Sequence, residues 1–116
     1  MIGADSEQGG TSWPCALCGR IGPRLTVHHL IPRAMHRRKW VRRRFGSEEP
    51  KRRLLYVCHP CHKHIHAVLT EQELARHYNT AEALLGHPDI RRFVAWIADK
   101  PADFRPRTRR MRRESG

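Results

Sequence analysis

Leu55-Tyr56-Val57-Cys58-His59-Pro60-Cys61-His62-Lys63-His64-Ile65-His66 is the stretch that decides how this chain folds. A β-prone run feeds straight into a Cys-x2-Cys knuckle, and the knuckle opens a segment where His62 and His66 stand four residues apart. On a helix that spacing puts both imidazoles on one face, about a turn apart. The spacing therefore predicts a strand over 54–57 and a helix over 61–69, with the knuckle between them.

A second knuckle, Cys15-Ala16-Leu17-Cys18, lies upstream, with Gly19 and Gly22 behind it to permit tight turns. Four cysteines in two tight pairs suit one tetrahedral zinc, which takes soft thiolates and leaves no open position. Two disulfides are the competing use of these thiols and would require an oxidising compartment. Leu25-Thr26-Val27 is a second β-prone run, ending at His28-His29 and terminated by Ile31-Pro32. His28, His29, His62 and His66 lie outside the sulfur set, so they are free to build a second, open site.

Between the knuckles 39 residues intervene, more than the roughly fifteen to twenty usual between such pairs, so a substantial insertion is expected. Residues 33–53 hold ten cations: Arg33, Arg37, Arg38, Lys39, Arg42, Arg43, Arg44, Lys51, Arg52 and Arg53. Their first half can be helical with Met35, Trp40, Val41 and Phe45 inward, and Gly46-Ser47 and Pro50 should break it. Further on, Thr70 with Glu73 forms a capping box for a helix to about Tyr78. A short helix follows over 80–85. A last one after Pro88-Asp89 carries the stripe Ile90, Phe93, Val94 and Ile97, read as core together with Trp96. The expected organisation is a flexible start at 1–12, a core at 13–69 with the basic insertion at 33–53, a helical extension at 70–100 and a basic, disordered tail at 101–116.

Cys15-x2-Cys18, Thr26-Val27-His28-His29-Leu30-Ile31-Pro32 and the run from Leu55 to His66 together resemble the HNH endonuclease (His-Me finger) family, in its branch with a four-cysteine structural zinc. The resemblance spans about 15–66. It implies an α+β fold: a small zinc-stapled ββα-metal core with additional C-terminal helices. It implies metal-dependent hydrolysis of DNA phosphodiesters, with His29 as general base and His28, His62 and His66 as ligands of a catalytic Mg, Mn, Ni or Zn ion. Cys15, Cys18, Cys58 and Cys61 then hold the structural zinc. HNH members usually carry an asparagine five residues before the third cysteine, and here that position is Arg53.

Lys and Arg outnumber Asp and Glu by 23 to 11, a formal net charge of +12, which favours a polyanionic partner. DNA is the expected partner, with RNA as the variant of the same chemistry. Arg33, Arg37, Arg38, Lys39, Arg42, Arg43 and Arg44 are the candidate backbone contacts. His59 reads as surface, His64 as facing away from the helix ligands, and His36, His77 and His87 as surface or core. No apolar run approaches a membrane span and no apolar leader is visible, so an intracellular location in the cytoplasm or nucleoid is expected. Two other classes fit the same composition: a zinc-stabilised DNA- or RNA-binding module without catalysis, and a zinc domain seated on ribosomal RNA.

Overall fold

The computed structural model describes residues 13–106. Its centre is a two-stranded antiparallel sheet: β1, Leu25–His29, pairs with β2, Leu54–Cys58, so that Leu25 faces Cys58 and His29 faces Leu54. Directly opposed residues share a face of the sheet. Thr26 with Val57 and His28 with Leu55 therefore form the inner face, while Val27 with Tyr56 forms the exposed one. β2 runs without a linker into a helix, His59–Val68, which packs across the inner face. Cys58 is that helix's N-cap residue and Pro60 stands in its first turn, where a missing N–H costs nothing.

The insertion is folded. A 3-10 turn, Arg33–Met35, leads to α1, Lys39–Phe45, and to the one-turn α2, Glu49–Arg52. Pro50, read from the sequence as a breaker, instead sits buried in the first turn of α2, the position proline tolerates best. Numbering onward, the helix after β2 is α3 (His59–Val68). It is followed by α4 (Glu71–His77), α5 (Ala81–Gly86) and α6 (Pro88–Ile97). The fold is thus a small α+β arrangement of one hairpin and several helices.

Two cores result. The larger joins Leu17, Leu30, Val57 and the thiols to Ile65, Leu69, Leu74, Leu84, Ile90, Val94 and Ile97. The smaller lies under the insertion, where Ile31, Met35, Val41 and Ala75 are packed by Trp40 and Phe45. The capping box expected at Thr70 is present, with the Thr70 hydroxyl accepting from the Glu73 N–H and the Glu73 carboxylate accepting from the Thr70 N–H. His87 caps α6 by accepting the Asp89 N–H at 3.1 Å. His64 stacks on Phe93 at 4.1 Å and bonds Asp89 at 3.1 Å, which clamps α3 to α6.

Trp96 departs from the expected core, being 45% exposed. Its ring is partly covered by Phe93, Phe104 and the Lys100 ammonium at 4.9 Å. Phe104 belongs to 101–106, the first part of the stretch expected as a disordered tail. These residues are packed: Phe104 joins the larger core, and the Arg20 guanidinium donates to the Pro101 carbonyl at 2.6 Å. The expected flexible start at 1–12 and the remainder of the tail lie outside the described residues. Among the described residues, no helix is long and apolar enough to cross a membrane.

Ile65 is fully buried where α3 meets the larger core. Ile65→Ala is expected to lower unfolding stability by about 2–5 kcal/mol, read from denaturant midpoints at unchanged slope.

Candidate metal centres

The hairpin and α3 bring two ligand sets together. Cys15, Cys18, Cys58 and Cys61 place their sulfurs within 4.8 Å of one another, and His28, His62 and His66 do the same with ring nitrogens. The first set joins the loop before β1 to the β2–α3 junction. The second joins the inner face of β1 to one face of α3.

The four thiols are free. Cys18 Sγ and Cys58 Sγ lie 3.8 Å apart, too far for a disulfide, whose bond is about 2.05 Å. That separation is the edge of a tetrahedron built on zinc–sulfur bonds of about 2.3 Å. Gly19, at φ 77°, turns the first knuckle back in a conformation that side chains rarely adopt. Gly22 lies where an added Cβ would meet the Ala102 Cβ at 2.9 Å, so the 101–106 segment closes over the knuckle only because this position is glycine. Backbone N–H groups of Leu17, Cys18 and Cys58 point at Cys15 Sγ from 3.3–3.4 Å. The thiols perturb one another: Cys15 pushes both Cys58 and Cys61 up, and holds Cys18 well below the usual thiol range. Two of the four thus ionise readily while Cys58 and Cys61 are held protonated, and a dication in their midst would favour all four thiolates at once. These four cysteines could therefore hold a structural zinc.

Arg20 was not singled out from sequence. It is buried, and its Nη2 donates to Cys58 Sγ at 3.5 Å. A zinc tetrathiolate carries net charge −2, and a buried guanidinium beside it offsets part of that charge. Only its position two residues after Cys18 hinted at such a role.

The histidine set has a different character. His28 is fully buried, and neither ring nitrogen has a hydrogen-bond partner among the described residues. Leaving such a group unsatisfied costs about 1–3 kcal/mol, so an imidazole with two orphaned nitrogens fits a ligand position. Its ring lies 5.2 Å from that of His62 and 5.4 Å from that of His66, and these two lie 5.1 Å apart. Burial, then the charges of His62 and His66, lower its pKa to about 3, which keeps the ring neutral and able to bind a cation.

Thr26, also missed, fixes the tautomer of His62. Its hydroxyl lies 3.0 Å from the Val57 carbonyl and 2.8 Å from His62 Nδ1. The carbonyl can only accept, so the single hydroxyl hydrogen goes there and His62 Nδ1–H must donate to Thr26. The lone pair of His62 Nε2 is then left bare. Thr26 lies two positions before His28 on the inner face, so strand alternation is the signal that could have found it.

His29 is the last residue of β1 and half-buried, outside the ligand cluster; the pKa of His62 is lowered by burial, then by His66 and His59, and last by His29. Its own pKa is lowered by burial, then by Arg33 and His36. The chain leaving His29 is held firmly. The Leu30 N–H donates to the Arg53 carbonyl at 2.9 Å, and His36 Nε2 lies 2.7 Å from the Ile31 carbonyl.

Arg53 stands where the resemblance expects asparagine, and its side chain is anchored from outside the motif. Its Nη1 donates to the Asn79 carbonyl at 2.9 Å and to Asn79 Oδ1 at 2.8 Å, and its Nε to Glu49 at 3.0 Å. Asn79 is itself buried and bonded to the Ala75 carbonyl. No local signal in the sequence connects positions 53 and 79.

The cations of the insertion, Arg33, Arg37, Arg38, Lys39, Arg42, Arg43 and Arg44, are all exposed. Arg44 bonds the Arg76 carbonyl at 3.2 Å, and the Arg76 guanidinium covers Trp40 at 4.4 Å.

No family model matches this sequence, and no solved structure matches it. Among curated proteins it is similar to one from Bacillus subtilis (strain 168) described as "Uncharacterized protein YisB". The two are 40% identical over 89 residues, which cover 77% of each chain.

Zinc analysis of the purified protein is expected to find one ion that survives dialysis, and Cys58→Ser is expected to lose it together with cooperative unfolding. His28 supplies a pH prediction for protein whose histidine set is empty. Its pKa is about 6.5 unfolded and about 3 folded, so the unfolded chain takes up the proton first. Stability present above pH 6.5 is thus lost as pH falls toward 3, at up to about 1.4 kcal/mol per pH unit for one proton. His28→Leu should remove that component of the slope in denaturant titrations between pH 7 and 5.

Proposed function

The chain belongs to the family of the Bacillus subtilis protein YisB, and we propose that it is a metal-dependent endonuclease of HNH type that hydrolyses DNA phosphodiesters. The observation that carries this reading is the buried, partnerless His28 facing His62 and His66, with His29 next to it at the end of the same strand. A closed sulfur centre stabilises such a unit; an open set of three imidazoles is chemistry beyond stabilisation. His66 is exposed, so the set opens to solvent on the side where a phosphate can approach.

His28, His62 and His66 would hold the catalytic divalent ion, and imidazole ligands suit Zn, Ni or Mn, with Mg also usable. Bound there, the ion supplies positive charge beside the phosphate oxygens and the leaving 3′ oxygen. Thr26 keeps His62 Nε2 free for it. His29, kept neutral by burial and by Arg33 and His36, takes the proton from the attacking water. The Leu30–Arg53 backbone bond and the Arg53–Asn79 pair hold the strand end that aims His29. Arg33 lies near enough to His29 to lower its pKa, and the exposed cations of the insertion that follow it suit the DNA backbone.

The second reading is a zinc-stabilised nucleic-acid-binding module without catalysis, favoured by the absence of asparagine at position 53. The Arg53–Asn79 bonds weigh against it, because they supply a brace from another part of the chain.

Metal-stripped protein refilled with Mg, Mn, Ni or Zn is expected to nick supercoiled plasmid. His29→Ala should keep its zinc and its plasmid binding and lose cleavage by at least about 100-fold. Equal cleavage by His29→Ala removes His29 as the base. Tight plasmid binding with no nicking under any metal selects the binding module.

A further inference from the structure

A cavity of about 620 Å³ opens beside the histidine set, and none of its lining residues comes from the insertion. Arg24 enters it from the residue before β1, His59 and Lys63 from the first turns of α3, and Arg105 from the packed segment after α6. Asp103 is the single carboxylate on its wall. Arg24, Lys63 and Arg105 are exposed, and none makes an ion pair among the described residues. Three segments distant in sequence thus converge cations on one concave space without neutralising them. Thr26 lines the same cavity while holding His62 Nδ1, so the cavity and the histidine set share a wall.

We infer that this cavity is a binding track for the phosphodiester backbone of a nucleic-acid strand, which leads the strand onto the histidine centre. The inference deepens the nuclease reading and rests on it for the position of the scissile bond. Along β1 the order is Arg24, Thr26, His28, His29, and then Arg33 of the insertion. The five residue-to-residue steps from Arg24 to His29 span about 17 Å, and duplex phosphates repeat every 3.4 Å or so along one strand. A bound backbone is therefore gripped on both sides of the centre: by Arg24, Lys63 and Arg105 before it and by the insertion after it. Phosphate contacts of this kind give affinity and register without reading sequence.

The test uses full-length, metal-loaded protein carrying Arg24→Glu with Lys63→Glu, against a control carrying Arg91→Glu with Arg92→Glu on the exposed side of α6. Both pairs change the net charge by the same amount. Retained zinc and an unchanged unfolding transition establish that each variant is folded. Anisotropy of labelled single-stranded DNA, single-stranded RNA and duplex DNA across a salt series is then compared. The expected result is at least about tenfold weaker binding for the cavity pair, with a salt slope shallower by about 1–2, and little change for the control. The nucleic acid on which the loss is largest identifies the strand that the cavity holds. Equal weakening by both pairs, or no binding by the wild-type chain, overturns the inference. Hydrolysis of bis(p-nitrophenyl) phosphate separates it from the nuclease reading. That small diester is too short to occupy the track, so its hydrolysis by the wild-type chain reports on the histidine centre alone. No hydrolysis by wild type under any metal defeats the nuclease reading while leaving the binding comparison decisive.

Discussion

Cys58 closes the strand, caps the helix and joins the sulfur set, and the arrangement of both centres depends on those three roles meeting at one residue. Because β2 passes into α3 with no intervening loop, fixing Cys58 and Cys61 to Cys15 and Cys18 fixes the angle at which α3 crosses the hairpin. That angle in turn brings His62 and His66 over His28. A structural zinc contributes about 10–16 kcal/mol in small zinc-finger peptides, which equals or exceeds the whole stability of a typical domain, about 5–15 kcal/mol. Among the described residues there is one hairpin and no helix longer than ten residues, so a zinc held by the four sulfurs would be the largest single interaction.

The remaining elements refine what the staple establishes. Arg20 offsets charge at the sulfur set and, through the Pro101 carbonyl, draws the segment after α6 back over the first knuckle. His64 ties α3 to α6, and Asn79 reaches from the α4–α5 connection to hold Arg53 at the far end of the hairpin. The C-terminal helices are therefore connected to both ends of the sheet. The insertion brings its own small core, which explains how a long excursion between two knuckles avoids loosening the strands that it joins.

The elements that were legible in the sequence are those specified by short-range chemistry. The knuckle spacing, the four-residue interval between His62 and His66, the capping box at Thr70 and the apolar stripe of α6 each need only neighbours within a turn or two. His28 and His29 presented a conflict, since adjacent residues on a strand face opposite ways; His28 joins His62 and His66, while His29, paired with Leu54 at the last position of the strand, lies outside that ligand set. What escaped was long-range. Arg53 and Asn79 meet across 26 residues, Arg20 and Pro101 across 81, and Thr26 and His62 across 36. Each is a polar pair whose partner is set by packing, and neither propensity nor periodicity carries that information. Pro50 and Trp96 were misread for a related reason: a proline is a breaker only inside a helix, and a large ring can lie on the core without being enclosed by it.

One closed sulfur centre and one open histidine centre on a single hairpin–helix unit is the central claim. X-ray absorption tests it most directly, on protein holding its tightly bound zinc and refilled with one equivalent of nickel. The expected result is a zinc edge with four sulfurs at about 2.3 Å, and a nickel edge with imidazole nitrogens and further light-atom ligands and no sulfur. Nickel found in a sulfur shell, or no nickel retained beyond background, would contradict it.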